Sequence, residues 1–202
     1  MTRPGDYFVR HEAGSDRLSL EEARDAPRFP FYGVLDCLRS AHNVGSIFRT
    51  CDGAGVGGLS LCGYTPTPPH RHLAKTALGA VDVVPWQSFE TVEEAITDLR
   101  KREIHVLALE KTESSVSLYD YSIEFPVALV CGNEAEGLSP EVCALCDATV
   151  HLPMFGHKNS LNVSVAFGVA AYEVQRRFGE ATKADTLTIS DSSNERTVPT
   201  IR

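Results

Sequence analysis

Arg49, and the polar loops that carry Glu134 and Ser160-Leu161-Asn162, are the places where the residue types leave room for chemistry. A guanidinium stays charged because its pKa exceeds about 12, so Arg49 can clamp a phosphate or stabilise an oxyanion but cannot act as a general base. Gly45 lies one helical turn before Arg49 on the same face. A glycine inside a helix costs roughly 1 kcal/mol relative to alanine. Its presence implies that something approaches the backbone closely there: a ligand, or simply a packed neighbour beside a solvated arginine. Glu134 sits in a Gly132-Asn133-Glu134 loop that Gly137 closes, and Ser160-Leu161-Asn162 ends a second loop, Phe155-Gly156-His157-Lys158-Asn159. The densest basic cluster is His70-Arg71-His72 with Lys75. It reads either as a solvated helix face or as a phosphate-contacting patch.

Other constellations fall short of a chemistry. Cys143-x-x-Cys146 is half of a zinc site, with His151 and His157 nearby, but a structural zinc needs four ligands at set spacing, and core thiols suit the pattern better. No metal is expected. Residues 53–58 (GAGVGG) fit G-x-G-x-x-G formally, yet a helix precedes them and a strand follows, the reverse of the dinucleotide fingerprint, so they read as a helix stop and turn. No G-x-S-x-G elbow, H-E-x-x-H or P-loop is present.

The elements that must hold these residues alternate. Strands are expected at 31–37, 59–62, 79–85, 104–109, 127–131 and 148–152. Asn43 is expected to cap a helix whose apolar positions are Val44, Ile47, Phe48 and Cys51. Thr91 to Glu94 forms a capping box for a helix to about Arg102, and Ser139-Pro140 opens a short helix over 140–146. Ser160 or Asn162 caps a long helix whose small residues, Ala166, Gly168, Ala170 and Ala171, admit a close neighbour, in this chain or in a second copy. Residues 113–126 read as loop. Five or more strand–helix alternations imply an α/β fold, an open mostly parallel sheet with helices on both faces. Residues 1–30 read as an arm, with a short helix near 18–26, and 179–202 as a polar disordered tail. In such a sheet ligands settle outside the carboxyl ends of strands, where the loops after 109, 131 and 152 lie.

The 202 residues carry 43% apolar and 23% charged side chains, ordinary for a globular protein, and a net charge of −8 argues against a broadly basic nucleic-acid binder. Any RNA contact must come from a local patch. No apolar run reaches membrane-spanning length, the N-terminus has no signal-peptide core, and the six cysteines sit mostly in apolar runs, so a cytoplasmic protein with reduced thiols is expected.

Three blocks resemble the SpoU (TrmH-like) RNA ribose methyltransferases of the SPOUT superfamily. Asn43-Val44-Gly45-Ser46-Ile47-Phe48-Arg49 is similar to the first motif, residues 131–139 (CGNEAEGLS) to the second, and residues 152–154 (LPM) through 160–166 (SLNVSVA) to the third. The 75–80 run (KTALGA) is similar to a weaker segment between them. The likeness spans about residues 32–178. It implies a trefoil knot in the C-terminal part of the sheet, S-adenosylmethionine (AdoMet) held there, and an obligate homodimer. It further implies a cofactor pocket lined by Leu109, Gly132, Leu152, Met154, Ser160 and Leu161. Arg49 and Asn43 would be catalytic, with Glu134, Ser160 and Asn162 fixing loops and nucleotide.

The reaction so implied moves a methyl group to a ribose 2′-hydroxyl of tRNA or rRNA. Two alternatives share the fold: a catalytically silent RNA-binding dimer, and a methyltransferase acting on a base nitrogen. The resemblance also implies that Arg49 works beside the partner subunit's cofactor, and the small-residue helix 163–174 gives a surface that could bring two copies that close.

Overall fold

The computed structural model describes residues 18–192, with side chains to residue 183. The beginning of the expected arm and residues 193–202 lie outside the described residues.

Helix α1 (Leu20–Asp25) is fixed by a capping box between Ser19 and Glu22. Then come β1 (Phe29–Asp36), α2 (Ala41–Ala54), β2 (Val56–Cys62), α3 (Arg71–Ala77), β3 (Trp86–Phe89), α4 (Val92–Lys101), β4 (His105–Leu109), β5 (Val116–Ser117), β6 (Val127–Cys131), α5 (Pro140–Leu145), β7 (Ala148–His151) and α6 (Val163–Ser192). The strands form one sheet in the order β3-β2-β1-β6-β4-β7-β5, every neighbouring pair parallel. This is the expected α/β sheet.

Both faces are covered, which explains the continuous apolar strands. Val127, Leu129 and Cys131 of β6 face one core, with Ile47 and Phe48 of α2, Leu73 of α3 and Phe167, Ala170 and Val174 of α6. Ala128 and Val130, one residue out of phase, face the other core, with Val92, Ile96 and Leu99 of α4 and Val142 of α5. Each fully buried Leu, Ile, Val or Phe contributes about 1.5–3 kcal/mol, so these layers hold the strand ends, and the loops leaving them, in register.

Five expectations change. The helix over 43–51 is capped by Ser40, whose Oγ accepts the Asn43 N–H; Asn43 lies inside the first turn, its side chain free for other partners. Close to Gly45 is helix α3: a Cβ there would lie 2.1 Å from Thr76 Oγ1 and 2.3 Å from the Leu73 carbonyl oxygen, so this glycine serves helix packing. Residues 79–85 are not a strand. Gly79 has φ 93° and Ala80–Asp82 form a 3₁₀ turn that buries Ala80, Val83 and Val84, so apolar content here reflects a packed turn, and the strand follows at Trp86. Within 113–126, β5 pairs with β7. Helix α6 runs through Gly179 to Ser192: residues 180–192 contain no Gly or Pro, Phe178 packs its ring 5.1 Å from that of Phe125, and Arg176 reaches Glu180 across a turn at 2.5 Å. Gly55, at φ 68°, ends α2 as the glycine-rich stretch predicts. Among the described residues no helix is long and apolar enough to cross a membrane.

Candidate active site

The loops after β4, β6 and β7 meet around a cavity of about 530 Å³. Every residue expected to hold a cofactor is in its wall: Leu109, Gly132, Leu152, Met154, Ser160 and Leu161. Glu134 and Asn162 also line it. The volume falls within the roughly 300–1,000 Å³ of small-molecule and cofactor sites.

Backbone closeness shapes the wall. A Cβ on Gly132 would lie 2.4 Å from the Gly137 carbonyl and 2.6 Å from Leu138 N, while Gly137 itself has φ 71° and faces Glu110. The two glycines let the 132–137 loop fold back on itself. Asn133 reinforces the turn: Oδ1 accepts from Ala135 N at 2.8 Å and Glu136 N at 3.2 Å, and Nδ2 donates to the Cys37 carbonyl and Tyr64 Oη, each at 2.8 Å. Glu110 ties the β4 loop to it, accepting from Leu138 N at Oε2 and Lys111 N at Oε1, both at 2.9 Å. The sequence marked the Glu110 and Asn133 loops but not these side-chain roles; an Asn four residues before Gly137 is the turn signal that points to Asn133.

At the cavity's edge three of the expected catalytic residues are hydrogen-bonded in series. Glu134 accepts from Arg39 N at 2.8 Å, Ser40 N at 3.1 Å and Asn43 Nδ2 at 2.9 Å. Asn162 Nδ2 donates to Asn43 Oδ1 at 3.2 Å. Asn162 Oδ1 in turn accepts from Ser164 N at 3.0 Å and Ser164 Oγ at 2.7 Å, so of the two expected caps Asn162 caps α6. Partial withdrawal from solvent pushes the Glu134 carboxyl up. The hydrogen bonds from Arg39, Asn43, its own backbone and Ser40 outweigh that and hold it below the usual carboxylate range. An anion is also favoured beside the N-terminus of α2. A carboxylate so committed orients groups; it does not collect protons. Cys131, also in the wall, is no nucleophile: burial, with the Glu110 charge behind it, pushes its thiol up to about 12.

Arg49 is not in this cavity. It lies six residues beyond Asn43, about 9 Å along the axis of α2, in a second cleft with Lys75, Thr76, Leu78 and Tyr172. It is exposed and makes no hydrogen bond or ion pair with any described residue. On the helix that carries Tyr172 of this cleft, Val165, Val169 and Tyr172 are 50%, 39% and 54% accessible, although Phe167, Ala170 and Ala171 are buried. His70, Arg71, His72 and Lys75 are exposed on and before α3, and the His72 ring lies 5.5 Å from that of His42. Cys143 and Cys146 are free thiols at the end of α5, and among the described residues no His, Cys, Asp and Glu group could hold a metal ion.

Comparison with known proteins fits this geometry. The model of the SpoU rRNA Methylase family matches residues 30–172. A Staphylococcus haemolyticus protein assigned to the TrmH family of tRNA/rRNA methyltransferases is 35% identical over 158 residues, 78% of this chain and 63% of the relative. The 23S rRNA (guanosine-2′-O-)-methyltransferase RlmB of Ralstonia nicotianae is 34% identical over 170 residues, 84% of this chain and 68% of that protein. The crystal structure of an AdoMet-bound rRNA methyltransferase from Sinorhizobium meliloti superposes with TM-score 0.69 at 31% identity, covering 81% of this chain and 62% of that one. The chain thus spans less than two thirds of the first of these relatives. With the family match over residues 30–172, and the second and third motif blocks lining one cavity with Asn43 of the first bonded at its edge, the chain belongs to the SpoU methylase family.

Proposed function

We propose that this protein transfers a methyl group from AdoMet to a ribose 2′-hydroxyl of tRNA or rRNA. The observation that carries the proposal is the Glu134–Asn43–Asn162 series at the rim of a cofactor-sized cavity. When bound, AdoMet supplies a methyl group made electrophilic by its sulfonium. Leu109, Leu152, Met154 and Leu161 offer apolar contact to a purine, and the folded-back 132–137 loop offers backbone groups for ribose and base.

The chain's own residues then have separable tasks. Glu134 accepts a hydrogen bond from Asn43 Nδ2, which fixes which way the amide points. Asn43 keeps a second Nδ2 proton and a second Oδ1 lone pair for the substrate ribose. Arg49 clamps the adjoining phosphate and stabilises the developing oxyanion. Neither Arg49 nor Glu134 suits proton removal, so the hydroxyl proton leaves through the substrate phosphate or water. Arg71, Lys75 and the neighbouring histidines form the local basic patch that an acidic chain needs to bind RNA.

A homodimer completes the site. In one chain Arg49 occupies its own cleft beside the exposed Val165–Val169–Tyr172 face, and a second copy seated there would bring its cavity to this arginine. Six free cysteines accord with a reducing, cytoplasmic setting. Incubation with methyl-labelled AdoMet and bulk cellular RNA, then nucleoside digestion and mass spectrometry, tests the reaction. Label in 2′-O-methylnucleosides is expected. Label confined to methylated bases, or none with any RNA fraction, would overturn it.

A further inference from the structure

At the side of the sheet away from Asn43 is a hydrogen-bonded pair with no task in the reaction above. Ser115 Oγ lies 2.9 Å from His151 Nδ1, 2.9 Å from the Thr112 carbonyl oxygen and 3.0 Å from Thr112 N. A carbonyl oxygen cannot donate, so the contact with Thr112 O consumes the only hydroxyl proton of Ser115. Its two lone pairs are then left to accept, one from Thr112 N–H and the other from the histidine. With the hydroxyl proton on Thr112 O, which also accepts from Ser115 N at 3.4 Å, Nδ1 of His151 carries its ring proton and in the neutral ring Nε2 is left with a bare lone pair.

His151 is the last residue of β7, half-buried, and forms part of the cavity wall beside Leu152. Its Nε2 makes no hydrogen bond with any described residue. His151 lines the ligand cavity, and a half-buried ring acceptor without a protein partner takes its donor from a ligand or from water. We infer that His151 Nε2 accepts a hydrogen bond from the bound cofactor, and that Ser115 is a positioning residue that fixes the tautomer able to accept it. This rests on the cavity being the AdoMet site. The donors available on AdoMet are the exocyclic amine of adenine, the ribose hydroxyls and the ammonium of the amino-acid arm. β7 stands three strands from β1 in the sheet, roughly 14 Å at the usual strand spacing. The contact therefore acts on cofactor affinity at a distance from the groups that meet the ribose.

Protein carrying ¹⁵N-histidine, titrated with S-adenosylhomocysteine, tests both parts. In long-range ¹H–¹⁵N spectra the free wild type should show His151 as the Nδ1–H tautomer, and Nε2 should move by several ppm at saturation. Ser115→Ala should give mixed tautomers with the fold intact. By calorimetry His151→Phe should weaken S-adenosylhomocysteine about five- to tenfold, the size of one hydrogen bond. Methylthioadenosine, which lacks the amino-acid arm, and the S-adenosylhomocysteine analogue bearing hydrogen in place of the 6-amino group separate the donors. The wild-type advantage over His151→Phe disappears for whichever ligand has lost the partner, and persists for both if a ribose hydroxyl donates. An Nε2–H tautomer in the free wild type, or an Nε2 resonance unmoved at saturation, would overturn the inference while leaving the cavity's assignment standing. Absence of S-adenosylhomocysteine binding to the wild type would remove both.

Discussion

Asn43 and Glu134, 91 residues apart, are joined by a 2.9 Å hydrogen bond from Nδ2 to Oε1, and the same carboxylate binds the backbone N–H groups of Arg39 and Ser40 that lead into α2. One anion thus sets both the start of the helix and the direction of the amide it carries. Glu134→Gln loses charge and one acceptor. Turnover should fall about 100-fold, the usual effect of a reacting group displaced by about an ångström. Asn43→Ala should match it in kcat, with AdoMet affinity within a few-fold of wild type because Asn43 is not in the cavity wall. Single-turnover methylation beside calorimetry measures the two separately. A large loss of affinity in Asn43→Ala with unchanged chemistry would contradict the assignment.

Gly132→Ala should be enough to lose the cofactor. The added Cβ would lie 2.4 Å from the Gly137 backbone, which cannot yield without opening the loop. The expected cost is about 1–3 kcal/mol of stability, with AdoMet binding lost by calorimetry while the far-ultraviolet circular dichroism is kept. Unchanged affinity would show that the loop relaxes without moving the pocket.

Arg49→Ala should bind AdoMet and not turn over, whereas Gly132→Val should do neither. If Arg49 serves the partner's cofactor, mixing the two dead proteins and letting subunits exchange restores activity. About half of random dimers are mixed and each holds one complete site, so the ceiling is about a quarter of wild type. Background activity after confirmed exchange would place Arg49 at its own subunit's cofactor.

Replacing Arg71 and Lys75 by alanine should weaken RNA binding and reduce the slope of log K against log[salt] by roughly 0.7–0.9 for each phosphate no longer neutralised. AdoMet affinity should not change. Filter binding between low and physiological salt gives the slope; an unaltered one would move the RNA path elsewhere, for instance toward Arg39, His42 and Lys158.

The Glu173 carboxyl is lowered to about 2, first by the hydrogen bond from Arg176, with burial opposing and Arg177 adding to it. Arg177 also donates to the Tyr119 and Tyr121 carbonyls, so this carboxylate helps tie α6 to the segment after β5. A folded-state pKa below the unfolded value stabilises above the unfolded value, near 4.5, and that contribution is lost as pH falls toward 2. Glu173→Gln should lower Tm at pH 7 and lose less than wild type between pH 4.5 and 2.5. Parallel Tm curves for the two proteins across that window would refute the linkage.

Much of the protein is determined locally and so is readable in the chain. Strands buried on both faces are continuous apolar runs, as at 127–131; Ser139-Pro140 and Thr91 place helix starts; and the second and third motif blocks follow the ends of β6 and β7, where a parallel sheet must put its loops. What tertiary structure decided depends on neighbours distant in sequence. Ser40 rather than Asn43 caps α2, and Glu134, from the loop after β6, occupies the Asn43 amide. Gly45 is required by Leu73 and Thr76 of a helix beyond the next strand, not by a ligand beside Arg49. The apolar run at 79–85 buries its side chains through a 3₁₀ turn, a choice periodicity cannot separate from a short strand. The His151–Ser115 pair exists only because β5 lies beside β7 at the sheet edge. Spacing announces which groups are present; packing between elements decides which of them face the same cavity, since that depends on contacts no local pattern encodes.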